Sequence, residues 1–416
     1  MKISIVATSE LYEEPKAFKI DKKTKEIKLT TPVSHLTTKQ EHMREVLEKI
    51  SGCSANVCYT NKSMDEILTE DLSSTQKRLD GTISAGHHSV CDHPNITLYL
   101  ENIPKLFAMI LNNEKDYATS EKSARYAPQN WQENESGKLC LKWQGIVKDK
   151  IDENYSKDIA YLDENRRNKL AQENGRYFMS ILEPTTKMVH TLSWRQLNYE
   201  YHWLKNLVEK DEISPLFASI KPSMKEFCTQ IENLGLVSDK LVDGKERTFS
   251  LISEGKKIDE KFDINYQTTY KGSFAQVAQA QRHRSIDYTI SIPKDFEMYI
   301  PEIIKDDKNL VEEYKEDAEL VKQTYPQGML VDVVEKGDFE TFKWKMEERK
   351  CARAQNEIRV QTDITAKKYY ESLKSVDEEQ AQIMAKYLKG SRCTFPNYKC
   401  REYCGWKEGI TGERKI

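Results

Sequence analysis

In the opening MKISIVATSE, the apolar stretch Ile3 to Ala7 has the length of a buried strand and is too short for the core of a signal peptide. The next pattern is helical: in TKQEHMREVLEKI, from Thr38 to Ile50, Met43, Val46, Leu47 and Ile50 share one face. Between Ser84 and Leu100, GHHSVCDH is followed by NITLYL, whose alternating, β-branched residues predict a strand leaving a histidine-rich turn. A helix from Pro104 to about Asn112 follows. Helical patterns return from Glu164 through Arg176 to Leu182, then over Trp194 to Val208 and Pro222 to Leu234, where Gly235 marks a stop. The stretch Val237 to Glu260, rich in Lys, Asp, Gly and Ser, reads as a passage between two units.

Beyond it, FDINYQTTY alternates at Ile264, Tyr266 and Thr268, and SFAQVAQAQRHR predicts a helix from Ser273 to Arg284. A long helix is expected from about Asp338 to Leu373, with Asp338 as its N-cap. Strand, helix and polar turn thus repeat the order seen around Leu98 to Arg125. The expected architecture is α+β: a first unit over 1–236, a second over 237–385 and a tail over 386–416, each unit a small, mostly antiparallel sheet packed with long helices.

Composition narrows the field. A chain of 416 residues needs more than one core. With 64 basic and 67 acidic residues, its net charge of -3 gives no reason to expect a nucleic-acid polymer, so any anion site must be local. No window approaches the 18 apolar residues of a membrane span. Nine cysteines without a framework spacing suit reduced thiols and a cytoplasmic setting.

The candidate chemistry lies in short motifs. Gln279 and Arg282 share a helical face, so an amide and a guanidinium can converge on one ligand. Arg282 and Arg284 flanking His283 suit a planar, anionic partner, or else form a solvated basic helix end. EKSARY, Glu121 to Tyr126, offers an anion-binding turn around Ser123 and Arg125. In ERKCARAQNEIR, Arg349 and Arg353 lie one helical turn apart. The tail holds Cys393, Cys400 and Cys404, a zinc-like cluster without an evident fourth ligand.

RHR, an ExSxRY turn, a GHxSxxEH-like turn and a helix reading RxxxxAQxEI together resemble the flavin-dependent thymidylate synthases (the ThyX family), over roughly residues 1 to 375. In that family a single copy carries every motif. Here they are divided: the first unit has GHHSVCDH and EKSARY, but Asn113, Glu114 and Lys115 where RHR belongs. The second has RHR and AQNEIR, but SIDYTISIP where ExSxRY belongs. Family members are homotetramers with each nucleotide held between subunits, so the resemblance implies that a fused pair needs each half-site only once.

On that resemblance, Ser123, Ala124, Arg125 and Arg176 from the first unit, with Gln279, Arg282 and Arg349 from the second, bind dUMP, and Arg349 is the catalytic arginine near the uracil. FAD is expected at His87, Ser89, Asp92, Arg195, Arg282, His283 and Arg284. Asp92 stands where a glutamate is usual, and Ser193 where an asparagine precedes Arg195. NADPH and methylenetetrahydrofolate are the implied cosubstrates, and a homodimer, a pseudo-tetramer of units, the implied assembly. A related dUMP hydroxymethylase and a noncatalytic nucleotide-binding scaffold are the alternatives.

Overall fold

In a computed structural model, residues 1–9, 18–20, 27–29, 43–58, 60–127, 131, 133–210, 214–243, 249–253 and 258–416 are described. Strands β1 (Lys2–Thr8), β2 (Phe18–Ile20) and β3 (Ile27–Leu29) precede helices α1 (Met43–Val57), α2 (Met64–Leu68) and α3 (Leu72–Ser84). The short 3-10 turn His88–Asp92 leads into β4 (Asn95–Ile103), α4 (Lys105–Leu111) and β5 (Tyr117–Glu121). Next come α5 (Glu135–Asn154), α6 (Glu164–Gly175), β6 (Thr186–Ser193), α7 (Trp194–Glu209) and α8 (Pro215–Asn233). A second series holds β7 (Lys261–Phe262), β8 (Asn265–Ser273), α9 (Phe274–Ala280), β9 (Asp287–Ser291), α10 (Lys308–Val321) and β10 (Leu330–Asp338). The chain ends with α11 (Phe339–Arg349), α12 (Asn356–Val376), α13 (Glu378–Ala385) and α14 (Lys407–Thr411).

The two larger sheets share one topology. Their strand orders are β1-β4-β6-β5 and β7-β8-β10-β9, and every pairing is antiparallel. In each, a short helix follows the second strand, and a helix capped by a side chain, Ser193 or Asp338, follows the last. Corresponding elements follow in corresponding order, as a duplication would produce, and the architecture is α+β with two sheet-containing units.

By spatial contact one compact unit comprises residues 1–103, 114–121 and 184–248, and the other 104–113, 122–183 and 249–416. In the first, Ile96, Leu98 and Leu100 alternate into the core while the residues between them are more exposed, as expected of a half-buried strand. In the second, Leu106 to Leu111 of α4 are all buried, as befits a helix enclosed on every side. Trp143 stacks on Phe178, with Tyr314 edge-on to both, in its larger core, which reaches Trp406 and Ile416 in the tail.

Most expected elements form near their predicted places; residues 38–42 of the first predicted helix lie outside the described residues. The long helix expected from Asp338 to Leu373 is broken. α11 stops at Arg349 and α12 begins at Asn356. Carbonyls of the intervening loop are claimed by donors from elsewhere in the same unit. Arg392 N donates to Lys350 O at 2.6 Å, Tyr161 Oη to Ala352 O at 3.2 Å, and Arg414 Nη2 to Ala354 O at 2.6 Å. Backbone groups satisfied this way gain nothing from continuing a helix.

Candidate active site

The loop 350–355 organises the site. Arg125, in the turn after β5, donates through Nη2 to Arg353 O at 2.6 Å and pairs through Nε with Glu173 of α6. The turn is closed by Ala127 N donating to Ser123 O at 3.0 Å, with Ser123 Oγ accepting from Arg125 N at 3.4 Å and Ala124 between them. Burial pushes the Glu173 carboxyl up, but Arg125 and Arg176 outweigh it and hold it below its ordinary value. Arg176, only 6% exposed, donates to Gln355 Oε1 at 2.8 Å and to Glu173 O at 3.2 Å. Gln355 in turn donates to Tyr177 Oη, and Tyr177 to Glu357 Oε2 at 2.9 Å. Glu357 also accepts from Ser273 N at 2.8 Å and Ser273 Oγ at 2.6 Å, which ties the start of α9 to the start of α12.

At the other end of α9, Gln279 is buried, with an Oε1 that has no partner among the described residues. Arg282 and Arg284 are exposed, whereas His283 is buried beneath them. Arg349, the last residue of α11, donates through Nε to His283 Nε2 at 2.8 Å. Burial, with the added repulsion of Arg349 and Lys345, pushes the His283 imidazole down to about 2. Arg349 is itself pulled down to about 10 by burial, with Arg282 and Arg125 adding repulsion that Glu348 offsets in part. Arg282 and Arg125 thus each repel Arg349, a repulsion that an anionic ligand relieves.

The hydrogen bond from Arg349 also fixes a tautomer. His283 Nε2 must be the acceptor, so the ring proton sits on Nδ1, a buried donor with no partner among the described residues. Gln279, at the end of α9, thus has an orphaned acceptor and His283, just beyond it, an orphaned donor, polar groups that a ligand could satisfy.

The histidine turn belongs to the other compact unit. His87 and Ser89 are exposed, and Asp92 accepts from Arg195 Nε at 2.8 Å, Arg195 Nη2 at 2.5 Å and Ser193 Oγ at 2.8 Å. Ser193 caps α7, so the residue found where an asparagine was expected both starts the helix and braces Asp92. His88 is held by Tyr199 Oη at 2.7 Å and Ile83 O at 3.1 Å.

In the first repeat's RHR position, Asn113 is buried, donating to Tyr288 O at 3.0 Å and Ser250 Oγ at 2.7 Å and accepting from Gln281 at 2.9 Å. Its role is structural. Sequence reasoning reached Gln355 and Glu357 only as part of the AQNEIR motif and missed Glu173 and Tyr177; an acidic side chain reads as surface until a buried arginine partner is known. In the tail, no three His, Cys, Asp or Glu among the described residues converge closely enough to hold a metal as they stand.

Two antiparallel sheets, each with a short helix after its second strand, define an α+β protein, and the arginines near the orphaned groups of Gln279 and His283 are its candidate anion site. Residues 41–211 match the family model described as thymidylate synthase complementing protein. No curated protein matches the chain. The matched stretch includes the EKSARY turn, Arg176 and Arg195, while RHR and AQNEIR lie beyond it. No helix among the described residues is long and apolar enough to cross a membrane.

Proposed function

We propose that the chain converts dUMP to dTMP, taking one carbon from methylenetetrahydrofolate and reducing equivalents from NADPH by way of FAD. The observation that carries this reading is the hydrogen bond of buried Arg349 to His283, with Arg282 and Arg125 near enough to repel Arg349 and with unpartnered groups on Gln279 and His283. In this reading Ser123, Ala124, Arg125 and Arg176 hold the phosphate, and Gln279, Arg282 and Arg349 meet the uracil. Arg349, braced by His283, keeps its charge at neutral pH and stabilises negative charge developing on the ring. FAD, when bound, supplies reversible two-electron transfer, and His87, Ser89, Asp92, Arg195, Arg282, His283 and Arg284 would hold it. The neutral His283 contributes an N–H donor rather than a charge. A homodimer in the cytoplasm is the proposed working form.

The test is product analysis. Purified protein given FAD, NADPH, methylenetetrahydrofolate and dUMP should form a nucleotide of the mass of dTMP, and omission of FAD should abolish it. A hydroxymethylated nucleotide as the sole product would replace this reading with the hydroxymethylase. A protein that takes up no flavin and forms neither would sink both.

A further inference from the structure

Cys351 of the loop and Cys393, Cys400 and Cys404 of the tail line one cavity of about 20 Å³, alongside Arg353 and Arg392. All four are free thiols and all are partly exposed. A space of that volume admits one water or one ion. Sequence spacing offered three cysteines and no fourth; the fold supplies Cys351 from the break between α11 and α12. Arg392 Nε, at the cavity wall, is a buried N–H without a partner among the described residues.

We propose that these four cysteines bind one zinc ion as thiolates, drawing in from the cavity wall to a tetrahedral shell with zinc to sulfur distances of about 2.3 Å. Four thiol protons leave as the metal enters, so uptake acidifies an unbuffered solution. A zinc with four thiolates carries a net double negative charge. The guanidiniums of Arg353 and Arg392 offset it, each shared in part with a carboxylate, Glu402 and Glu348, and the unpartnered Arg392 Nε–H is a donor available to a thiolate sulfur. With every position filled by protein the site is structural. It fastens the tail to the loop that follows Arg349 and supplies Gln355. This assignment stands independently of the nucleotide reading, since its readout is metal content.

The experiment is zinc quantification on full-length protein purified without chelator, together with alkylation of the native protein. About one zinc per chain is expected. Cys351→Ser and Cys400→Ser should each lower it at least tenfold, while Cys58→Ser, at an exposed thiol elsewhere, should leave it unchanged. Should the serine variants fail to fold, the cobalt-loaded wild type decides: sulfur-to-cobalt charge-transfer and tetrahedral d–d absorption support the site, and an octahedral spectrum overturns it. Zinc below about a tenth per chain, a disulfide among the four, or full zinc retention in Cys351→Ser would each overturn it as well.

Discussion

The hydrogen bond between Arg349 and His283 makes a pH dependence predictable. His283 is neutral in the folded protein down to about pH 2, but an unfolded imidazole takes a proton near its ordinary value of 6.5. The contribution to stability is therefore complete above 6.5 and falls as pH is lowered, because only the unfolded state gains the proton. Urea denaturation across a pH series should show His283→Gln losing less stability on acidification than wild type, by up to about 1.4 kcal/mol per pH unit below pH 6. Equal slopes would mean the imidazole is not buried neutral. Arg125 and Arg282 separate structure from binding. Arg125→Ala strands buried Glu173 and should cost about 3–5 kcal/mol at neutral pH. That deficit should shrink on acidification, as the unpaired carboxyl, now raised by burial, is protonated. Exposed Arg282 can be removed with stability changed by about 0.5 kcal/mol or less. Its loss should nevertheless weaken dUMP binding by about 1.5–3 kcal/mol in calorimetry, while Lys115→Ala leaves it unchanged. Unaltered affinity in Arg282→Ala would remove the nucleotide from this cluster.

Elements whose cause is local were legible in the sequence. Gly235, predicted as a stop, follows α8 with φ +70°, a conformation glycine adopts without strain. The alternation of β4 likewise reports burial that neighbouring residues share, whereas of the face predicted on α1 only Met43 and Leu47 are fully buried and Val46 and Ile50 are half-buried. The break at 350–355 was illegible because its causes are distant: Arg125, Tyr161, Arg392 and Arg414 take the carbonyls that periodicity assigns to a continuing helix. A close approach between helices was equally hidden. A Cβ on Gly175, at the end of α6, would lie 2.6 Å from Cys140 O in α5, and a backbone atom cannot rotate away. Gly175→Ala should destabilise by about 1–3 kcal/mol and displace Arg176, the next residue, weakening dUMP binding further. On α5 itself, Gly145→Ala meets nothing within 4 Å and should stabilise by about 0.5–1 kcal/mol. Chemical denaturation of the two variants in parallel checks both signs, and a neutral Gly175→Ala would show that α5 and α6 can part at little cost.

Across the whole molecule, the residues expected to serve one nucleotide come from both sides of the predicted passage at 237–260, yet Ser123, Arg125, Arg176, Gln279, Arg282 and Arg349 lie in one compact unit. Motif content predicts a division of labour between repeats, but says nothing of the tail, since residues 386–416 lie outside the resemblance. Their importance is one of packing. Trp406 is 1% exposed, stacks on Tyr161 at 5.8 Å between ring centres and meets Tyr155 edge-on at 5.5 Å. Arg414, also buried, donates to Ala354 O, while Lys415 N donates to Tyr155 Oη at 3.0 Å. Removing residues 405–416 therefore exposes two aromatic rings and strips a donor from the loop beside Arg349. Truncated protein should unfold at lower denaturant than any single variant above. Trp406→Ala isolates the packing contribution and should cost about 3–5 kcal/mol, with Trp406→Phe restoring part of it. If the tail also fixes the loop, Arg414→Met should weaken dUMP binding even at temperatures where the variant is fully folded, because Ala354 O loses its donor without any loss of core volume. A truncated protein with wild-type stability and wild-type affinity would mean that Arg125, Tyr161 and Arg392 suffice to hold the loop, and that the tail is ancillary to the site.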